Sequence, residues 1–366
     1  MSPAMLFIRT VLLRDWRFLS VTVTSCTVAA TVATFQFSVY NSFRQASAVG
    51  PHALAADFWV KAESVECFDF PSPFPEDYGP ALARFMPHAS LRRVVFGFAP
   101  WRSPSGRRGN VAVVGIENAG IGPTGFIANA SDLARLDIPA GSTGRIDASI
   151  GDTTLTYQHS VDTLPTYLGA PYILADFETA RSLLRMDPTS VAFLAGYIDG
   201  APPADFAART AQARVLFPDV EIVSADDFSD STIDYWQNKT GAGLAIGLAA
   251  VLALLLMILL LSNGVLRFIQ RYYSDLLSLL GHGADRSDIA RIVTGVALVV
   301  ALWTLAGSAV ATPFLVYAFN GLLPWTRFAP SDLAAPLLGV TVAFGVSIIS
   351  AQRAIAAFAP DAVFRS

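Results

Sequence analysis

The stretch LAAVLALLLMILLL, residues 248–261, lies in the middle of a run that has no charged side chain from Thr240 to Leu266. A helix needs about 20 mostly apolar residues to cross the hydrocarbon core of a bilayer. The stretch therefore predicts a transmembrane helix over residues 240–266.

Three further uncharged runs pass the same length test, at residues 18–43, 292–323 and 333–352. Pro313 is expected to kink or end the third of these helices. The first run is longer than the apolar part of a signal peptide, about 7 to 15 residues, so we interpret it as a retained span. Composition agrees with a membrane protein, because 53% of the residues are hydrophobic, 15% are charged and the mean hydropathy is +0.48.

Arginines cluster on one side of these runs. Arg9, Arg14 and Arg17 precede the first run. Arg267, Arg271, Arg286 and Arg291 lie in the gap after the second run, and Arg353 and Arg365 follow the fourth. The gap between the third and fourth runs has only Arg327. The positive-inside rule then predicts that both termini are cytoplasmic. The predicted order is a cytoplasmic amphipathic segment (1–17), a first span (18–43), an outer domain (44–239), a second span (240–266), a cytoplasmic segment (267–291), a third span (292–323), a short outer loop (324–332), a fourth span (333–352) and a cytoplasmic tail (353–366).

The outer segment has the pattern of a folded α+β domain. Short β-branched or aromatic runs bounded by Gly and Pro predict strands, at DFWVKA (57–62), RRVVFGFAPW (92–101) and NVAVVGIE (110–117). Alternation on both sides of Gly151-Asp152, within residues 144–157, predicts a hairpin. Helical spacing of apolar residues predicts helices at 76–86 and 203–217. The predicted fold class is an α-helical membrane protein with four transmembrane helices and a large extracytoplasmic α+β domain between the first and second.

The sequence carries no pattern that is typical of a catalytic or cofactor site. It has no nucleophile–base arrangement and no glycine-rich phosphate loop. Cys26 and Cys67 give no disulfide framework, and neither they nor the four histidines have metal-ligand spacing. A net charge of -4 without any Lys/Arg run argues against binding to nucleic acid. We therefore expect no enzyme activity, no cofactor, no metal and no nucleic-acid partner.

Small residues at helical spacing predict close packing in two of the spans. In the first span they are Thr24, Thr27, Thr31 and Thr34, and in the second they are Gly243 and Gly247. Such residues let helices approach and form hydrogen bonds in lipid. The pattern fits packing within one chain and an interface between subunits equally well.

Between the second and third spans lies RYYSDLLSLLGHGADRSDIARIV, residues 271–293. Tyr273, Leu276, Leu277 and Leu280 recur at helical spacing, so they predict one apolar stripe on a short helix that Gly281 can end in a left-handed conformation. Asp285 or Ser287 can cap a second helix, with Asp288 in its first turn and Ile289, Ile292 and Val293 facing inward. An alternative is a helix that lies on the lipid headgroups.

This segment resembles the cytoplasmic loop of FtsX-like, MacB-type ABC transporter permeases. The resemblance rests on Asp275, on LLSLLG (276–281) and on ADRSDIARIV (284–293), and it extends to RDWR (14–17) and to the tail AQRAIAAFAPDAVFR (351–365). The stretch FAPWRSPSGRRGNVAVVGIE (98–117) is similar to the outer domains of the DevC subgroup.

The resemblance implies a mechanotransmission permease of the bacterial inner membrane, in which a separate ABC ATPase subunit hydrolyses ATP and moves the cytoplasmic helix. The residues that it implies in ATPase coupling are Tyr273, Asp275, Leu276, Leu277, Leu280, Gly281, Asp285 and Asp288. It also implies a second permease copy, in a homodimer or heterodimer, a periplasmic adaptor and an outer-membrane channel for export. Alternatives are a lipoprotein-release permease, a non-transporting regulator of a cell-wall hydrolase, and a sensor of an outer ligand.

Overall fold

The computed structural model describes residues 10, 14–139, 145–148, 153–161, 170–200 and 206–356. The chain divides into two compact units. The helical unit comprises residues 1–42, 244–322 and 326–366, and the mixed unit comprises residues 43–243 and 323–325.

The helices of the described residues, in chain order, are α1 (Trp16–Ser47), α2 (Val49–Ala53), α3 (Tyr78–Ala83), α4 (Ala130–Leu133), α5 (Phe177–Leu183), α6 (Phe206–Leu216), α7 (Ala225–Asp234), α8 (Ala242–Arg271), α9 (Tyr273–Gly281), α10 (Arg286–Phe319) and α11 (Ala334–Ala356). A π-helical turn (Tyr235–Lys239) follows α7, and a 3-10 turn (Pro330–Leu333) precedes α11.

Four helices within the described residues are long and apolar enough to cross a membrane, by length and composition: α1, α8, α10 and the helix that runs from the 3-10 turn into α11. They contain most of each run that the sequence predicts to be a span, although α8 begins at Ala242 instead of 240 and α10 ends at Phe319 instead of 323. The most apolar is α8, with a mean hydropathy of 3.1 over its most apolar window. The fold class is thus confirmed as far as four apolar helices and a large α/β unit are concerned, and the side of the membrane stays a prediction.

Pro313 does not end the third of these helices. It lies inside α10, which continues to Phe319. A proline removes one backbone donor and crowds the preceding turn, which would break most exposed helices. Helices in lipid tolerate it, because neighbouring side chains and local adjustment satisfy the freed carbonyl. The same helix begins at Arg286, six residues before the apolar run at Ile292.

The strands of the mixed unit are β1 (Phe58–Ala62), β2 (Phe74–Pro75), β3 (Ala89–Arg102), β4 (Arg108–Ile116), β5 (Gly125–Ala128), β6 (Arg145–Ala148), β7 (Thr153–Ser160), β8 (Tyr172–Asp176), β9 (Ser190–Val191), β10 (Phe193–Ile198) and β11 (Val220–Ser224). In the described residues they form one sheet in the order β11-β1-β10-β3-β4-β8-β5-β7-β6 and a small sheet of β2 and β9.

The long strand β3 closes part of the large sheet on itself. It pairs with β10 and β4 along most of its length, and its last residues, Trp101 and Arg102, also pair with β6. The β4–β8 and β5–β7 pairs are parallel, whereas the other pairs of the large sheet are antiparallel. The strands β1, β3 and β4 lie at the three runs predicted as strands, α3 covers part of the helix predicted at 76–86, and α6 lies within the helix predicted at 203–217, of which residues 203–205 are outside the described residues. The flanking strands of the predicted hairpin pair with each other, and its turn at Gly151-Asp152 lies outside the described residues.

Aromatic side chains fill the core of the mixed unit. Trp59 is fully buried and lies edge-on to Phe68, with ring centroids 5.4 Å apart. Phe68 stacks on Phe193 at 4.8 Å. The indole N–H of Trp59 donates to the carbonyl oxygen of Pro51 at 3.1 Å, so the buried polar group has a partner. Gly196 makes room for this core, since a Cβ there would lie 2.2 Å from the ring of Phe58.

Candidate coupling site after the second apolar helix

The short helix α9 is separated from α8 by one residue, Tyr272. The backbone of Tyr272 leaves the helical region, with φ -100° and ψ 16°, and the chain then resumes a helix at Tyr273. The amide of Leu276 still donates to the carbonyl oxygen of Tyr272 at 2.9 Å. The carbonyl oxygen of Tyr272 therefore keeps a helical hydrogen bond across the break.

The end of α9 is a Schellman motif. The amide of Ala284 donates to the carbonyl oxygen of Leu279 and that of Gly283 donates to Leu280, both at 3.0 Å. The left-handed residue of the motif is Gly283, with φ +91°, whereas Gly281 is the last helical residue. The left-handed role that the sequence assigned to Gly281 thus belongs to Gly283, because the helix extends to the end of the LLSLLG stretch.

Helix α10 begins immediately after this turn with a capping box. The carboxylate of Asp285 accepts from the amide of Arg286 at 2.7 Å, and that of Asp288 accepts from the amide of Asp285 at 3.3 Å. Asp285 is therefore the N-cap residue, and Asp288 completes the box. Asp288 also pairs with Arg291 at 2.9 Å.

The predicted apolar stripe of α9 divides between core and surface. Leu276 is fully buried in the helical core, where Ile289, Ile292 and Val293 are also buried, as predicted for these three residues. Leu277 and Leu280 are half-buried and pack against the same core. Leu276 is thus not available as a contact surface in this structure, because its side chain is fully buried in the helical core.

The surface that α9 does expose is mostly polar. Tyr273 is 44% exposed, and its neighbours Ser274, Asp275 and Ser278 are also exposed. Gly281 lies at the exposed end of the same helix. We call Tyr273, Ser274, Asp275 and Ser278 the α9 surface.

Asp15 ties the start of α1 to the end of α8. Its carboxylate accepts two hydrogen bonds from the Arg271 guanidinium, from Nε at 2.7 Å and Nη2 at 3.1 Å, and one from the Tyr272 hydroxyl at 2.6 Å. These bonds hold the pKa of Asp15 below its usual range. Burial, followed by the bond to Asp15, raises the pKa of Tyr272 to about 12. Sequence reasoning missed this cluster. Asp15 of RDWR and Arg271 after the second apolar run are both plain in the sequence, but nothing in it indicates that they pair.

The small residues of α1 pack within the chain to different degrees. Thr24 is exposed, Thr27 is half-buried, and Thr31 and Thr34 are buried. The hydroxyls of Thr31 and Thr34 donate to carbonyl oxygens of their own helix, at Thr27 and Ala30, both at 2.8 Å. The hydrogen bonds of these two hydroxyls are therefore made within α1. The close approach of α1 to α10 occurs at Thr27, which faces Gly307 of α10.

Gly243 and Gly247 face different neighbours. A Cβ on Gly247 would lie 3.3 Å from the ring of Tyr40 in α1. A Cβ on Gly243 would lie 2.7 Å from the Cα of Gln237, in the π-helical turn that precedes α8. Of these two glycines, Gly247 is therefore the one that contributes to helix–helix packing within this chain.

Asp332 forms a second polar cluster that the sequence did not reveal. It is 3% exposed, and its carboxylate accepts from the Ser38 hydroxyl at 2.7 Å, the Asn41 amide at 2.8 Å and the backbone of Ala329 at 2.9 Å. This cluster joins the later part of α1 to the start of the fourth apolar helix. An acid directly before an apolar run is a first-turn signal, but its partners in α1 are too distant in sequence to infer.

No group of three or more His, Cys, Asp or Glu side chains that could hold a metal ion occurs in the described part of the chain. Cys26 and Cys67 are both buried free thiols.

No protein-family model matches the chain, and no curated protein is similar to it. Among solved structures, the periplasmic region of MacB from Actinobacillus actinomycetemcomitans is similar with a TM-score of 0.36 and 7% identity, covering 49% of this chain and 95% of that structure. The extracellular domain of the noncanonic ABC-type transporter YknZ from Gram-positive bacteria gives a TM-score of 0.33 and 7% identity, covering 46% of this chain and 99% of that structure. Likenesses at this level do not assign the chain to a family.

Proposed function

We propose that this chain is the permease subunit of an ABC-type exporter, which couples ATP hydrolysis by a partner ATPase to movement of its mixed unit. The observation that carries the proposal is the construction of α9. Leu276 fixes its core side, the Schellman motif and the capping box of α10 fix the chain at its end, and its polar side is exposed. The resemblance of LLSLLG and ADRSDIARIV to the coupling loop of MacB-type permeases points in the same direction.

Coupling needs a short contact element that does not deform when a partner moves. Half-buried Leu277 and Leu280 and fully buried Leu276 attach α9 to the helical core along one side. Burying a leucine side chain contributes about 1.5 to 3 kcal/mol, so this attachment is strong for a helix of nine residues. Under the proposal, the ATPase contacts the α9 surface. Leu276, Leu277 and Leu280 then transmit the movement of α9 to the helical core.

The remaining parts of the proposal follow from the resemblance. The ATPase lies on the cytoplasmic side with both termini, the permease works as a homodimer or heterodimer, and a periplasmic adaptor and outer-membrane channel complete the export path. ATP hydrolysis belongs to the separate subunit. A cargo-free regulator of a cell-wall hydrolase would use the same coupling, and the proteins that co-purify from native membranes in mild detergent distinguish the two.

The central test is a tyrosine pair. Tyr273→Ala removes an exposed ring from the α9 surface, and Tyr317→Ala removes an 81% exposed ring near the far end of α10 as a matched control. A tyrosine at an interface centre is a frequent hot spot worth about 2 kcal/mol, so Tyr273→Ala should weaken ATPase binding by more than about tenfold.

The measurements are co-purification of the ATPase and its stimulation by the permease, with thermal unfolding as a folding control. Tyr317→Ala should bind and stimulate like the wild type. If Tyr273→Ala also does so, α9 is a surface helix on the lipid headgroups and the coupling role is lost. If no ABC ATPase co-purifies with the wild type, the proposed class is wrong.

Orientation has its own test. Ser105 and Ser287 are both exposed, Ser105 in the mixed unit and Ser287 in the first turn of α10. With cysteine at Ser105, an impermeant thiol reagent should label intact cells stripped of their outer membrane. Cysteine at Ser287 should react only after the cells are opened. Labelling of Ser287 in intact cells would reverse the assigned orientation.

A further inference from the structure

Three aromatic rings form an exposed cluster at one end of the mixed unit. Phe70 is 51% exposed, and its ring centroid lies 5.6 Å from that of Tyr235 and 5.9 Å from that of Trp236. Tyr235 and Trp236 are half-buried and lie 6.3 Å from each other. We call these three residues the aromatic cluster. A large exposed phenylalanine that touches two other rings is an apolar surface and not an isolated exposed side chain.

The loop that carries Phe70 is held in place by contacts of the residues that precede the ring. The indole N–H of Trp236 donates to the buried carboxylate of Asp69 at 2.7 Å. The amide of Phe68, whose ring is in the core, donates to the Thr232 hydroxyl of α7 at 3.1 Å. An ion pair between Glu66 and Lys239 adds a third connection. The outward position of Phe70 is therefore imposed by the fold.

Two residues of the cluster lie shortly before α8 in the sequence. Tyr235 and Trp236 open the π-helical turn that leads directly into α8, and Ala242 and Gly243 of α8 belong to the same compact unit as the cluster. The backbone of Gln237 lies against Gly243, in the first turn of α8. The rings are thus adjacent to the point where the most apolar helix of the chain begins.

Tyrosine and tryptophan are enriched where membrane helices leave the hydrocarbon core, because their rings prefer the headgroup layer. A lysine at the same level can extend its ammonium group toward the polar side, and Lys239 is 49% exposed next to the cluster. The composition and the location of this surface agree on one occupant, which is lipid.

We propose that the aromatic cluster is a lipid-contact surface, and that Phe70 lies in the headgroup layer of the membrane that α8 crosses. The mixed unit then rests on the bilayer through the loop at Phe70 in addition to its covalent links to the helices. This contact is independent of the ATPase and would exist in a transporter, a regulator or a sensor.

The experiment uses the full-length wild-type chain in vesicles of phosphatidylethanolamine and phosphatidylglycerol that contain a small fraction of phospholipid with a diazirine near the glycerol backbone. After illumination and proteolysis, mass spectrometry maps the lipid adducts. Phe98 of β3, which is 41% exposed in the same unit, is the matched control, and adducts on α8 verify insertion. We expect adducts on the peptide with Phe70 several times more often than on the peptide with Phe98.

A second measurement uses the variants Phe70→Asp and Phe98→Asp. The first should remove most adducts from residues 67–73 and leave those on α8, whereas the second should change neither. Equal adducts at Phe70 and Phe98, or none at Phe70 while α8 is labelled, would overturn the proposal. Loss of the α8 adducts in a variant would indicate failed insertion, and the wild-type comparison would then decide.

Discussion

Asp15 and Arg271 lie 256 positions apart in the sequence and form a two-pronged ion pair, with Nε–Oδ2 at 2.7 Å and Nη2–Oδ1 at 3.1 Å. The guanidinium also lies 5.2 Å from the ring centroid of Phe18. The pair therefore joins the start of α1 to the end of α8, next to the α9 surface. A planar fork of donors matches a carboxylate in a way that a lysine would not.

Exchanging these two charges tests whether the connection matters for coupling. Asp15→Arg alone should lower stimulation of the ATPase by roughly two- to thirtyfold, the usual range for residues that couple sites without touching either ligand. The double variant Asp15→Arg with Arg271→Asp should recover part of the loss, measured as ATP hydrolysis in reconstituted vesicles. If the double variant is no better than the single one, the ion pair does not carry the effect.

Glycine substitutions distinguish the two glycines at the end of α9. Gly283→Ala forces a side chain into a left-handed conformation at a cost of about 1 to 2 kcal/mol. Gly281→Ala should be neutral or stabilising by up to about 1 kcal/mol, because Gly281 is helical and exposed. Thermal unfolding in detergent measures both. Equal destabilisation by the two variants would contradict the assignment of the turn to Gly283.

Helix packing between α1 and α10 depends on the absence of a side chain at Gly307. A Cβ there would lie 2.6 Å from Cγ2 and 3.1 Å from Oγ1 of Thr27, which is too close for either atom. Gly307→Ala should therefore destabilise the helical unit by about 1 to 3 kcal/mol, as overpacking usually does. In a Thr27→Ala background the same change should cost much less, because the nearest remaining atom would be 3.5 Å away. A double-mutant cycle with no coupling energy would contradict this contact.

The buried carboxylate of Asp332 should be important for stability. Asp332→Ala leaves the Ser38 hydroxyl, the Asn41 amide and the Ala329 amide without their acceptor, and each unsatisfied buried group costs about 1 to 3 kcal/mol. Asp332→Asn keeps one acceptor oxygen and the side-chain shape, so it should be milder. The measurement is thermal unfolding of the full chain. Equal effects of the two variants would mean that side-chain volume, and not hydrogen bonding, stabilises this site.

Acid should weaken the mixed unit through Glu117. The hydrogen bond from the Arg93 side chain, 3.0 Å long, holds the pKa of Glu117 below its usual range. A lowered pKa means that the stabilisation is complete above the ordinary pKa of glutamate, about 4.3, and is lost as the pH falls through the lower folded-state value.

Glu117→Gln should therefore unfold at a lower temperature than the wild type at pH 7, and the two curves should converge at the acid end of the range. Glu63→Gln is the control, because Glu63 is 62% exposed and lies 3.9 Å from Arg214. The unfolding temperature of the full chain, followed by near-ultraviolet circular dichroism from pH 3 to 7, makes the comparison. A difference that is constant over this range would show that Glu117 does not act through its charge.

The apolar runs could be predicted because a membrane helix is a local property of the sequence. The run around LAAVLALLLMILLL is enough to predict α8, and the residues after it are enough to predict a turn and a cap at Asp285 or Ser287, of which the structure selects Asp285. The strands of the mixed unit are similarly visible from their β-branched runs. The pairing of the end of β3 with β6 is not, because register across a long separation depends on the assembled core.

The candidate site could be predicted only in part, for the same reason. Spacing correctly groups Leu276 with Leu277 and Leu280 on α9, but it does not say whether that face meets a partner or the chain's own core. The structure places Leu276 in the chain's own core, in the same cluster as Ile289 and Ile292 of α10. The sequence does not predict the hydrogen bonds of Asp15, Arg271 and Asp332, because their partners lie hundreds of positions away.

The back-to-back caps between α9 and α10 have a mechanical consequence. The Schellman bonds and the capping box occupy the backbone groups of residues 283–285, so this joint has little freedom to swivel and acts as a fixed elbow. The 34 residues of α10 form an arm of about 50 Å at a rise of about 1.5 Å per residue. On an arm of that length, a tilt of α9 by about 5° that the fixed elbow passes on to α10 displaces the far end by about 4 Å. A movement too small to break any contact at α9 would thus become, at the opposite end of α10, a displacement of about the length of a side chain.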